Sequence, residues 1–243
     1  NVKHLKLLGN LFLRDGSFDI GYLNTKYFLD DTIRFTNDAI EFNNIVVRDE
    51  KGNKGHFGGV LKHKTFKQME FDMFMDFENM LALNTRSRDN DLYYGTIYAT
   101  GVLSITGKGS KVHMDINART EDNSEIYLPL TSSEVASDNN FVRFVSSTDT
   151  IKEVVQEVQV DESGFSFNME VEATPNAKVE LIFDSRIGDI IKGQGTGSLV
   201  FSYDSKADFK MFGDYTVTSG EYLFTAQNVI NKRFDIESGG VIK

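Results

Sequence analysis

The chain contains no cysteine and no tryptophan, and only 2 of its 243 residues are proline. The absence of cysteine excludes disulfide bonds, thiol catalysis and cysteine-ligated metal sites. Because proline removes a hydrogen-bond donor from a β-ladder, its scarcity favours long, continuously paired strands. The 20 phenylalanines and 20 glycines instead indicate a chemically plain apolar interior and many possible turns.

Positive charge and long apolar runs are also scarce. The formal net charge is −10 at pH 7, which argues against nucleic-acid binding because phosphate recognition needs clustered lysine and arginine. No stretch of about 18 apolar residues predicts a transmembrane helix. The segment Asn1–Gly9 is short and mixed in character, so no signal peptide is expected there.

The usual motifs of catalysis and metal binding are missing. Neither an HExxH nor a His-x-His spacing occurs, so surface histidines are expected rather than a metal site. There is no GxSxG motif and no marked pair of carboxylates. No catalytic residue, metal or cofactor is therefore predicted, and the chain is not expected to be an enzyme. The histidines are His4, His56, His63 and His113.

One glycine-rich segment has some likeness to a phosphate-binding loop. Glycine alternates with polar residues in Gly193–Gly197, but a phosphate cradle needs a helix N-terminus directly after the glycines. The segment that follows, Leu199–Tyr203, alternates as a strand does. A glycine turn or a narrow part of a sheet is the better interpretation.

Period-two alternation of apolar and polar residues fills most of the chain and is clearest in Val179–Ile236. Successive side chains of a strand point to opposite faces, so these runs predict an antiparallel meander that is apolar on one side only. Turns are predicted at the glycines of Gly193–Gly197, at Asp204–Lys206 and at Ser219–Gly220.

A few segments depart from this pattern. Met80–Asn84 is predicted as the one short helical turn, and the polar segment Thr131–Asn140 as a flexible excursion. Ile151–Val160 is weakly patterned, and strand and helix both stay open for it. No amphipathic helix of about 12 residues is predicted anywhere.

The apolar positions of the strands form stripes that are candidates for the lining of a lipid groove. Acyl chains require surroundings with few hydrogen-bonding groups, and methionine adapts to varied partners. The candidate lining residues are Phe71, Met73, Met75, Phe77, Ile97, Leu103, Ile105, Val112, Met114, Ile116, Phe165, Phe167, Met169, Leu199, Phe201, Phe209, Met211, Tyr215, Tyr222 and Phe224.

A sheet that is apolar on one side has to cover that side, and no helix is predicted to do so. It can pack on a second sheet, close on itself, or curl into a trough. On the residues alone an ordinary sandwich core is the simpler explanation, because closed cores are how most such sheets bury themselves.

The later part of the chain resembles a known family. The segments Phe212–Tyr215 (FGDY), Gly220–Phe224 (GEYLF) and Gly239-Gly240, together with FDSRIGDIIKGQGTGSLVFSY before them, closely resemble the C-terminal conserved domain of the TamB family. These are translocation and assembly module proteins of the Gram-negative envelope, often grouped with AsmA-like bridge lipid-transfer proteins. The resemblance is strongest over residues 174–243, and before that it is one of pattern.

The resemblance implies an all-β fold: an elongated, mostly antiparallel sheet curled into a taco-like trough with an apolar groove. Residues 1–243 are then a single elongated β segment of a larger protein that continues beyond Lys243. The implied function is transport of phospholipid, or another acyl-chain lipid, between the inner and outer membranes. The implied location is the periplasm, with the parent protein anchored in the inner membrane.

Two alternatives remain open. The family resemblance also covers a scaffold that assists insertion of outer-membrane β-barrel proteins with a TamA-like barrel partner, by pairing an exposed strand edge with the client. A different class is an inert sandwich, such as an adhesin or carbohydrate-binding module. That class predicts a flat platform of surface aromatics, and no such cluster is evident in the sequence.

Overall fold

The computed structural model describes residues 8–64, 67–90, 93–129, 164–184, 189–205, 207–226 and 230–242. Within these ranges the regular structure is strand and there is no helix, so the predicted all-β fold is confirmed. The strands form one 16-stranded sheet. They are β1 (Gly9–Phe12), β2 (Gly16–Ile20), β3 (Thr25–Leu29), β4 (Thr32–Phe35), β5 (Ala39–Asp49), β6 (Lys54–Lys64), β7 (Lys67–Thr85), β8 (Tyr94–Lys108), β9 (Lys111–Thr120), β10 (Glu125–Pro129), β11 (Gly164–Ala173), β12 (Lys178–Asp184), β13 (Asp189–Asp204), β14 (Ala207–Ala226), β15 (Ile230–Ile236) and β16 (Val241–Ile242).

Three local predictions are wrong. Met80–Asn84 continues β7 instead of forming a helical turn, and Gly193–Gly197 and Ser219–Gly220 lie inside β13 and β14 instead of in turns. For Gly193–Gly197 the alternative interpretation, a narrow part of a sheet, fits the structure. The physical reason is the same in each case, because these segments coincide with bulges or close approaches between long strands. The pairing register shifts between Phe77 and Met80 and again opposite Gln194. Thr131–Asn140 and Ile151–Val160 lie outside the described residues.

The sheet is mostly antiparallel, as predicted. Its strand order follows the chain only in part, because β1 pairs with β4, β3 with β5 and β14 with β16. Each of β5, β6, β7 and β8 pairs antiparallel with the next, and β13, β14 and β15 do the same. The exception is one parallel step, at which β9 pairs with β11 and β10 pairs with β12.

Several positions in the sheet hold two short strands placed end to end. Both β9 and β10 pair with the edge of β8 that faces away from β7, and both β11 and β12 pair with the edge of β13 that faces away from β14. When the hydrogen-bonded neighbours are followed from strand to strand, they form a closed cycle of six strands: β8, β10, β12, β13, β11 and β9. In space, the cycle is two interrupted strands lying side by side in an open sheet.

The interruptions line up across the sheet and form what we call the crease. The gap after Thr120 lies beside the gap after Ala173, and the two are bonded: the Thr174 N–H donates to Thr120 Oγ1 (2.9 Å) and the Lys178 N–H to the Ser124 carbonyl (2.9 Å). Bulges bend strands and increase their twist, so this alignment of bulges and breaks favours a bend of the sheet along one line. Buried small or apolar residues follow this line: Ala99, Thr120, Ser124, Ala173, Ala177 and Val217.

The best-packed part of the described chain is the N-terminal curl, formed by β3, β5, β6 and the Met80–Thr85 part of β7. Here β3 contacts β7, although β5 and β6 separate them in the sheet. The curl encloses a cluster of Tyr27, Ile45, Val47 and Met80, which are 7%, 1%, 4% and 3% exposed. The sheet therefore closes on itself at this end.

Candidate functional site

One face of the sheet collects the predicted lining residues. Met75 pairs with Leu103, Leu103 with Ile116, Ile116 with Met169, and Met169 with Phe201. Directly paired residues lie on the same side of a sheet. These five side chains therefore form a row that crosses from β7 to β13 on one side, which we call the apolar face.

The other candidates extend this row in both directions along the strands. Met73 pairs with Ile105, Ile105 with Met114, and Met114 with Phe167, which places a second apolar row beside the first. By register or strand alternation, every candidate with a described side chain lies on the apolar face. The Phe209 side chain lies outside the described residues. The candidates on the face are Phe71, Met73, Met75, Phe77, Ile97, Leu103, Ile105, Val112, Met114, Ile116, Phe165, Phe167, Met169, Leu199, Phe201, Met211, Tyr215, Tyr222 and Phe224.

The apolar face is only half covered. None of these candidate side chains belongs to the buried hydrophobic core, and Phe165, Met211 and Phe224 are 40%, 57% and 39% exposed. In a filled sandwich core such residues are almost fully buried. All described strands belong to one sheet, and an ordinary sandwich core does not account for this degree of exposure.

Charge is segregated onto the opposite side, the polar face. Asp72, Asp76, Asp115 and Glu170 alternate with the apolar candidates on β7, β9 and β11 and are exposed. Among the described residues from Phe71 to Phe77, Gly101 to Gly107, Val112 to Ala118, Phe165 to Ala173 and Gly197 to Tyr203, every ionisable side chain of Asp, Glu, Lys, Arg or His points to the polar face. The apolar face therefore offers contact without fixed charge over this area.

The polar groups on the apolar face include tyrosine hydroxyls and, on β13, the carboxylate of Asp189 beside the Tyr222 hydroxyl. Tyr215 packs over Gly195, whose missing side chain leaves room for the ring. The buried Tyr215 hydroxyl has no hydrogen-bond partner among the described residues, and burial raises the pKa of this phenol.

Several residues of the apolar face were not among the candidates. Val171 pairs with Leu199, Leu181 pairs with Ile191, and Phe234 pairs with Tyr222. Each belongs to a strand with period-two alternation, so extending the alternation along the whole strand finds them. The small residues of the crease have no such signal, because their position depends on which strands are interrupted.

The histidines give one correction. His56 and His113 are partly exposed and contact Asp76 (2.9 Å) and Asp115 (3.2 Å) on the polar face, whereas His63 is only 6% exposed. His63 was expected at the surface, but it is buried where the end of β6 meets the β4–β5 turn. There the backbone N–H of His63 donates a hydrogen bond to the Asp38 carbonyl (2.8 Å). His4 lies outside the described residues. No cluster of three or more metal-ligating side chains occurs in the described ranges.

A depression of about 600 Å³ is lined by residues of β7, β8, β9, β11 and β13. Most of them, such as Phe74, Val102 and Glu170, belong to the polar face, and the rest are four candidates of the apolar face: Met75, Leu103, Ile116 and Met169. In the described part of the chain, no helix is long and apolar enough to span a membrane.

Comparison with known proteins identifies the family. The family described as "TamB C-terminal domain" matches residues 43–243. The match begins far upstream of residue 174, so the resemblance extends beyond the region where it was expected to be strong. No curated protein and no solved structure gives a significant match. The match covers most of the chain, and the chain belongs to the TamB family through its C-terminal domain.

Proposed function

We propose that the apolar face binds the acyl chains of phospholipids and shields them from water during transport between the inner and outer membranes. Membership of the TamB family indicates a protein of the Gram-negative envelope. The location that fits this role is the periplasm, with the parent protein anchored in the inner membrane. No catalytic step is involved, because moving a lipid requires only that its tails stay out of water.

The observation that carries the proposal is the half-exposed apolar surface that continues from β7 to β14 and carries no Asp, Glu, Lys, Arg or His side chain over the parts of β7, β8, β9, β11 and β13 described above. Each CH₂ group removed from water contributes about 0.8 kcal/mol, so a surface several strands wide gains a large part of the transfer free energy of an acyl chain. Rows of similar methionine, phenylalanine and aliphatic side chains provide many equivalent contacts. Equivalent contacts let a chain slide, whereas one deep pocket would retain it.

The crease supports a groove rather than a flat surface. Its aligned breaks at Thr120–Glu125 and Ala173–Lys178 give the sheet a line along which to fold. Small side chains are buried along this line, while the strands on either side keep half-exposed apolar side chains. A sheet folded in this way forms a trough whose floor is packed and whose walls remain open to acyl chains.

Lipid binding is tested by purifying the protein from the periplasm of a Gram-negative host and identifying bound lipid by mass spectrometry. The purified protein is then titrated with a fluorescent phosphatidylethanolamine. Co-purified phospholipid and saturable binding support the proposal. A protein that carries no lipid and does not bind the fluorescent probe contradicts it.

A second candidate function is assistance in assembling outer-membrane barrel proteins with a TamA-like partner. One observation favours it: in the described residues β15 pairs only with β14, and Phe234 is 43% exposed on this strand. An exposed strand edge is the feature that β-strand addition requires. Crosslinks from β15 to nascent barrel strands support this function, whereas lipid co-purification without such crosslinks favours transport.

A further inference from the structure

The N-terminal curl differs from the rest of the apolar face in what fills its interior. Tyr27, Ile45, Val47 and Met80 occupy the space between β3 and β7 and are at most 7% exposed. On the same face of the sheet, Met211 is 57% exposed. Protein side chains therefore occupy, within the curl, the position that an acyl chain would take elsewhere.

Hydrogen bonds between strands that are not neighbours in the sheet hold the curl shut. The Tyr27 hydroxyl donates to the Leu81 carbonyl (2.8 Å), and the Leu81 N–H donates to Asp49 Oδ2 (2.9 Å). Nearby, the Asn84 N–H donates to the Leu23 carbonyl at 2.9 Å. Tyr27 and Asp49 are themselves paired across β3 and β5, so the bonds form one connected latch from β3 to β7.

The loop of Asp49 strengthens this latch. Asp49 is 3% exposed, and its carboxylate also accepts hydrogen bonds from the N–H groups of Lys51 (2.8 Å) and Asn53 (2.9 Å) and from Asn53 Nδ2 (2.9 Å). A buried carboxylate with several N–H donors is held in one position. The closure is therefore built from a rigid turn and not from a loose contact between side chains.

We infer that the N-terminal curl is an end wall of the lipid groove, so that acyl chains occupy the apolar face from the first half of β7 to β14 and do not pass the Tyr27 cluster. This inference rests on the proposed function and specifies the extent of the lipid site. Interiors packed to this degree have no space for a further hydrocarbon chain. Because Met75 and Phe77 pack against the cluster from the groove side, they mark the boundary.

Site-specific photo-crosslinking locates the boundary. Benzoyl-phenylalanine is placed singly at Phe201 on the open face and at Phe57, which packs against the wall cluster. The whole chain is then irradiated with vesicles of phosphatidylethanolamine and phosphatidylglycerol. A probe at Phe74, 53% exposed on the polar face, gives the background. A second probe at Leu29, which also packs against the cluster, controls for the case in which the substitution at Phe57 itself disturbs the packing of the wall. Thermal melts check that each variant is folded.

The expected result is a lipid adduct at Phe201 at least tenfold above that at Phe57 and Leu29, with both wall positions at the background of Phe74. Adducts of equal yield at Phe201 and at the wall positions overturn the end wall and leave the proposed function standing. No adduct above background at any position overturns the proposed function and the end wall with it.

Discussion

A charge introduced on the apolar face should reduce lipid affinity without reducing the stability of the fold. Two adjacent residues of β14 allow this effect to be compared on the two faces of the sheet. Met211 pairs with Phe201 on the apolar face, while Phe212 pairs with Val200 on the polar face. The two side chains are 57% and 59% exposed. Met211→Glu and Phe212→Glu therefore introduce the same charge, on the same strand and at similar exposure, on opposite sides of the sheet.

The two substitutions are expected to differ in lipid affinity but not in stability. Both positions are mostly exposed, so each variant should change the free energy of unfolding by no more than about 1 kcal/mol. On the apolar face, a hydrated carboxylate that keeps about three CH₂ groups in water removes roughly 2–3 kcal/mol of binding free energy at ~0.8 kcal/mol each. Met211→Glu should therefore weaken acyl-chain binding roughly 30- to 150-fold, and Phe212→Glu should leave it nearly unchanged.

The assay combines a urea denaturation curve with titration of a fluorescent phosphatidylethanolamine for each variant. Unfolding of Met211→Glu would show that this position belongs to a closed core, because an unpaired buried charge is not tolerated. Equal loss of affinity in both variants would show a general charge effect. Undiminished binding by folded Met211→Glu would remove Met211 from the lipid path.

Three further outcomes are expected. Asp49→Ala should lower the free energy of unfolding by about 2–4 kcal/mol in urea denaturation, because it leaves the N–H groups of Lys51, Asn53 and Leu81 without their acceptor. A decrease in the free energy of unfolding below about 1 kcal/mol would show that the latch is not formed in solution. Gly213→Ala should lower the free energy of unfolding more than Gly239→Ala does in the same assay. Both glycines have positive φ (139° and 94°), but only at Gly213 would an added Cβ clash with a backbone atom, the Ser198 carbonyl oxygen. Equal losses of stability would argue against the close approach of β13 and β14. Desolvation, together with the charge of nearby Glu125, raises the pKa of Tyr127 from 10.0 to about 12. The neutral Tyr127 phenol should therefore contribute fully to stability below pH 10, and this contribution should be lost as the pH rises towards 12. Tyr127→Phe should remove one late-titrating phenol from the ultraviolet absorbance titration, and a titration that loses an ordinary phenol instead would refute the shift.

Side-chain alternation made the strands and the composition of the apolar face predictable. Met73 and Met75 on β7 and Val112, Met114 and Ile116 on β9 alternate with polar residues, so their common face follows from the period of a strand. The hairpin at Asp49–Asn53 follows from turn chemistry. The family motif around Gly213 indicated the fold that these strands build.

The crease and the end wall could not be predicted in this way. The crease depends on interruptions at Glu121–Ser124 and Thr174–Ala177 that lie side by side, although more than 50 residues separate them in the sequence. The end wall depends on bonds from Tyr27 and Asp49 to Leu81, which are set by the long-range curl of the sheet. Local patterns carry no information on either pairing. For the same reason Met80–Asn84, with its closely spaced apolar residues, resembled a helical turn when it is a bulged strand.

The methionines provide the most direct test of the claim that the open apolar face binds acyl chains. Met114, Met169 and Met211 lie on that face, whereas Met80 is 3% exposed inside the end wall. Methyl NMR spectra of ¹³C-methionine-labelled protein are recorded with a phosphatidylcholine that carries a spin label on its acyl chain. The account predicts broadening of the Met114, Met169 and Met211 methyl signals while the Met80 signal stays sharp. Bound lipid that leaves the signals of the open face sharp, or that broadens Met80 as strongly as Met169, would contradict it.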